Sequence, residues 1–125
     1  MEVRTEILSR AALEQHVGVV QQLCVEFAAA TVDVTYGWAC NLAIDDLYQD
    51  HRMSTSELLP FIARSVTDNI FRLGDSDMYI KDAGGVFEFT ICHESDIHFE
   101  SNDPSLVSRV TTLWSEHGLR SYEVA

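Results

Sequence analysis

The residues of this chain best suited to chemistry crowd into one stretch, His93-Glu94-Ser95-Asp96-Ile97-His98. Imidazoles and carboxylates are metal ligands, and strand residues two apart project from the same face. On a strand, Asp96, His98 and Glu100 would point together. His93, Asp96 and His98 are therefore the candidate ligands for a divalent cation, although their spacing matches no known ligand motif. Asp45, Asp46, Asp50 and His51 form a second cluster. On a helix, Asp46 and Asp50 would share a face, where like charges four apart are mildly destabilising. Asp75-Ser76-Asp77 is a further acidic pair that turn propensity explains.

Nucleophilic catalysis finds no support. The chain has no Gly-x-Ser-x-Gly and no glycine-rich phosphate loop. Cys24, Cys40 and Cys92 are odd in number and lack a Cys-x-x-Cys, so they read as free, buried thiols. A reactive thiolate needs positive charge nearby, yet from Ala11 to His51 there is no Lys or Arg. No catalytic residue and no cofactor is nominated, and the reading leans against an enzyme.

Charge carries more information. Twenty Asp and Glu against eight Lys and Arg leave −12 on 125 residues. Such an excess attracts basic surfaces and repels nucleic acid and anionic lipid. The expectation is a single cytoplasmic domain over residues 1–125, without a leader or a membrane span, that engages a basic protein.

Hydrophobic periodicity supplies the elements. Leu13, Val17, Val20, Cys24 and Phe27 step as a helix over 10–30, capped by Ser9. Val32, Val34 and Tyr36 alternate like a strand, but Tyr36, Cys40, Ala43, Ile44 and Leu47 favour a helix over 36–50. Leu58, Ile62, Val66, Ile70 and Leu73 predict a third helix, with Ser54-x-x-Glu57 as its capping box and Gly74 as its stop. Pro60 places the start of that helix close to Glu57. The period then changes to two over 78–81, 86–92 and 96–100. Asp103-Pro104 opens a last helix, and 119–124 forms a last strand. The expected class is α+β in the order α-α-α-β-β-β-α-β, with the helices on one sheet face. Trp38 and Trp114, at helical positions, are assigned to the core.

Strand parity divides the sheet. A three-residue loop, His93-Glu94-Ser95, pairs Ile91 with Ile97 and Phe89 with Phe99. A four-residue loop at 82–85 pairs Ile80 with Phe87. The opposite face then carries Tyr79, Lys81, Val86, Glu88, Thr90, Cys92, Asp96, His98 and Glu100. If helices cover only the Phe face, this acidic face is open. The predicted partner contacts are Tyr79, Glu88, Asp96, His98 and Glu100, then Asp45, Asp46 and Asp50, with Tyr79 as the aromatic anchor. By analogy of class, an inhibitor of the immunity-protein kind or a chaperone fits this pattern. The alternatives are a metal-binding protein or metal-dependent hydrolase using His93–Glu100, and a homo-oligomeric structural domain, for which a dimer through the first helix is open.

Overall fold

A computed structural model describes residues 1–124. Seven strands form one sheet: β1 Glu2–Thr5, β2 Thr31–Tyr36, β3 Asp50–Ser54, β4 Met78–Asp82, β5 Phe87–Ile91, β6 Ile97–Ser101 and β7 Ser121–Val124. The helices are α1 Arg10–Glu26, α2 Leu58–Thr67 and α3 Pro104–Glu116. The sheet order is β3-β2-β4-β5-β6-β1-β7, and every adjacent pair is antiparallel. The α-α-α-β-β-β-α-β order is therefore wrong: a strand comes first, and only α1 precedes β2.

The largest correction falls on 31–54. Thr31, Val32, Val34 and Thr35 are β-branched, and β2 pairs with β3 on one side and β4 on the other. Those ladders outweigh the helical spacing that follows, since propensity is a weak prior against tertiary pairing. The segment 37–49 is instead a loop with a 3-10 turn at Ile44–Asp46. Backbone bonds pin it: Gly37 N–H donates to Asp77 O, Asn41 to Ile70 O and Tyr48 to Tyr36 O. Ile44, expected to be buried, is 84% exposed.

Several local signals act as predicted. Ser9 accepts from Ala12 N–H at 3.2 Å and caps α1. Ser54 and Glu57 form the capping box, followed by a 3-10 turn at Thr55–Glu57 and then α2. Pro60 lies in the first turn of α2, where its missing N–H costs nothing. Helix α2 is shorter than expected, because Asn69 turns left-handed (φ 58°) well before Gly74. Asp103 caps α3, with Pro104 at its first position.

The core lies between the helices and the Phe face. Phe87, Phe89 and Phe99 stack and tilt against each other, and Phe27 closes over Phe87 and Phe99. Trp114 of α3 is buried there as predicted, whereas Trp38 is 60% exposed and does not belong to the core. The β5–β6 register is the expected one, Ile91 with Ile97 and Phe89 with Phe99. Ser95 adopts φ 64°, the left-handed residue that closes a three-residue hairpin loop. The β4–β5 register differs by two, so Ile80 faces Phe89 rather than Phe87. An even shift leaves the face assignment intact. Strand β7 pairs with β1, which is inserted between it and β6. No described helix is long and apolar enough to cross a membrane.

Candidate functional site

All three helices pack on the Phe face, which leaves the opposite face of the sheet free of helices, with the 37–49 loop against one end of it. Three rows of that face build the site. The first runs along the cross-strand register as Arg52, Asp33, Lys81, Glu88, Glu100, Glu2. Charges alternate over its first half, and Arg52 holds Asp33 through two hydrogen bonds of 2.9 and 3.1 Å. Over the second half, Glu88, Glu100 and Glu2 stand directly opposite one another on β5, β6 and β1. Like charges so opposed destabilise a sheet. Burial, then Glu100 and Glu2, push the Glu88 carboxyl above the usual range against the pull of Lys81. Arg4 answers the trio from its own end, at 2.6 Å from Glu2.

The second row is Asp50, Thr35, Tyr79, Thr90, His98, Arg4. Thr35 donates to Asp50 at 3.0 Å, so Asp50 belongs to this face as part of a strand. The helix face predicted for Asp46 and Asp50 does not exist. Asp45 and Asp46 lie in the exposed 3-10 turn of the 37–49 loop and line neither of the two larger depressions of this face.

The third row closes the hairpin end. Cys92 and Asp96 flank the 93–95 loop and share the face, with Cys92 N–H donating to Asp96 O. Asp96 is buried, its Oδ2 is 3.0 Å from His98 Nε2, and its Oδ1 has no hydrogen-bond partner. Burial opposes ionisation of Asp96, but His98, and after it the Cys92 thiol and Arg4, outweigh it and hold the carboxyl below its ordinary range. Asp77, also buried, accepts from His93 N–H at 2.7 Å and contacts His93 Nδ1 at 2.8 Å. That hydrogen bond raises the His93 pKa. Burial, then Asp96 and Asp77, push the Cys92 thiol up to about 12 against a backbone bond at Glu94. Cys92 is thus no resting nucleophile.

These rows floor the two larger of the shallow depressions on this face. One, of about 330 Å³, lies among Glu2, Arg4, Asp77, Glu88, Cys92, His93, His98 and Glu100. The other, of about 290 Å³, is lined by Thr35, Tyr48, Asp50, Tyr79, Lys81 and Glu88. Tyr79 belongs to both and contacts Asp77 through its hydroxyl at 3.4 Å. Gly37 lets the loop approach Tyr79: a Cβ there would lie 2.5 Å from Tyr79 Cε2. That loop brings Trp38 to within 6.2 Å of the His93 ring and leaves Tyr48 59% exposed.

The structure thus gathers Tyr79, Glu88, Asp96, His98, Glu100 and Asp50 on one face and leaves Asp45 and Asp46 outside. Sequence reasoning missed Glu2, Arg4, Asp33, Asp77, Trp38 and Tyr48. The alternation of Val3 and Thr5 with Glu2 and Arg4 was the available signal for β1. No family model, no curated protein and no solved structure matches this chain.

Proposed function

We propose that this domain docks a basic protein on the open face of its sheet. The observation that carries the reading is the row Glu88, Glu100, Glu2, three carboxylates opposed on adjacent strands of an uncovered face. The row costs the free domain stability, and a Lys or Arg from a partner would relieve it. Trp38 and Tyr48 are exposed at the edge of the same surface and Tyr79 is half-buried in its floor, and aromatics of this kind anchor interfaces. Their π faces also suit an incoming cation. The net charge of −12 would steer a basic partner, raising association rates by roughly 10–10³ at low salt.

The test compares charge reversals on two sides of the molecule. Glu88→Lys with Glu100→Lys alters the open face, while Glu14→Lys alters an exposed position of α1. Proteins retained from source lysate by the immobilised domain are eluted with rising salt and identified. A basic protein lost with the sheet-face reversal but kept with Glu14→Lys is the expected result. Equal loss in both variants, retention through the sheet-face reversal, or no retained basic protein would refute the reading.

A further inference from the structure

A second property of this face is independent of docking. We infer that Cys92, Asp96 and His98 form a zinc site at the mouth of the β5–β6 hairpin. The three residues come together because the 93–95 loop sets Cys92 opposite Asp96, while His98 follows Asp96 by two on the same strand face. A thiol sulfur, a carboxylate oxygen and an imidazole nitrogen from them all lie within 4.8 Å of one another. A tetrahedral zinc centre sets such donors about 3.3–3.6 Å apart, so modest side-chain rotation completes the set.

The independent sign of a missing ligand is Asp96. Its side chain is only 8% exposed, and its Oδ1 is buried with no donor. Leaving a buried carboxylate oxygen unpaired costs free energy that a bound cation removes. The donor chemistry selects the ion. Thiolate with imidazole and one carboxylate suits zinc, whereas magnesium and calcium require oxygen shells. On binding, Cys92 releases its thiol proton to solvent and coordinates as thiolate. Cys92 and His98 line the 330 Å³ depression, so the fourth coordination position opens to solvent there. The adjoining Asp77 fastens His93 through its ring Nδ1 and its backbone N–H, leaving His93 Nε2 facing Glu94 at 3.7 Å. His93, a candidate ligand from sequence, belongs with Asp77 to a second donor group that adjoins the site through Cys92.

The experiment uses untagged, chelator-treated protein titrated with Zn²⁺ by calorimetry and with Co²⁺ by absorbance. One equivalent of each is expected to bind, Co²⁺ giving a thiolate-to-metal charge-transfer band in the ultraviolet. Losing a supporting partner of a metal ligand costs about 10–100-fold in affinity, so Cys92→Ser and His98→Ala should each weaken Zn²⁺ by more than that. The charge-transfer band should vanish in Cys92→Ser and persist in Glu100→Gln. Absence of the band in the wild-type protein overturns the site whatever the variants do. So does Zn²⁺ binding that Cys92→Ser leaves unchanged, which would mark diffuse carboxylate binding.

Discussion

Replacing Glu100 by Gln should stabilise the free domain. Glu100 stands between Glu88 and Glu2 in the register, so the amide removes two opposed like-charge pairs and keeps the shape. Cross-strand pairs contribute roughly 0.2–1 kcal/mol each, with like charges unfavourable. Glu100 is exposed and solvent screens it, and the Glu2 carboxylate is already engaged by Arg4. The lower half of the range applies, giving a gain of about 0.4–1.2 kcal/mol for both pairs. For a domain of this size that is a rise of roughly 1.5–5 °C in Tm. Glu88 would be a poorer choice, because it also faces Lys81 and would lose that attraction. Urea unfolding at low ionic strength reads the gain directly. At 1 M salt the Debye length is about 3 Å, shorter than the spacing of opposed side chains, and most of the gain should disappear. A Gln variant no more stable than wild type at low salt would refute the repulsion. A gain independent of salt would assign the effect to packing instead. If the row exists for docking, the stabilised variant should also bind its basic partner less tightly.

Two other perturbations probe the scaffold. Gly37→Ala places a methyl 2.5 Å from Tyr79 Cε2 and 3.2 Å from Asp77 Cβ, and such overpacking costs about 1–3 kcal/mol. Urea unfolding should show that loss, and an unchanged midpoint would mean that the loop does not press on Tyr79. His16 is buried on α1 with its ring edge-on to His117 at 5.2 Å and no partner for Nδ1. Burial first, and then His117, lower its pKa in the fold. The unfolded chain therefore takes up the His16 proton first as pH falls through about 6.5. Stability drops from there down to the folded pKa, by at most about 1.4 kcal/mol per pH unit for one proton. His16→Phe should remove this part of the slope between pH 7 and 5, and a variant that keeps the full wild-type slope would contradict the assignment.

Much of the local structure was legible from the order of residues. Ser9, Ser54-x-x-Glu57 and Asp103-Pro104 mark helix starts because capping is satisfied within a few residues of chain. The Phe89–Phe99 register follows from alternation and loop length, which are also local. Those two facts placed Glu88, Asp96, His98 and Glu100 on one face before any long-range contact was known. Cys92 was placed on that face too, but a lone cysteine among acidic residues gives no ligand signal until Asp96 is found buried with a free oxygen.

The 31–54 segment and the first strand were decided elsewhere. Glu2–Thr5 is short, and its residues form a strand because β6 and β7 offer ladders on both sides. The apolar spacing of 36–47 fits a helix as well as a loop, and the choice came from backbone groups of Ile70 and Asp77 far along the chain. The opposition of Glu2 to Glu100, and the seating of Trp38 beside His93, arise from the same long-range pairings. Capping and alternation are short-range effects that sequence encodes directly. Which strands meet depends on free energies shared between residues more than a hundred positions apart, and only the folded chain brings those together.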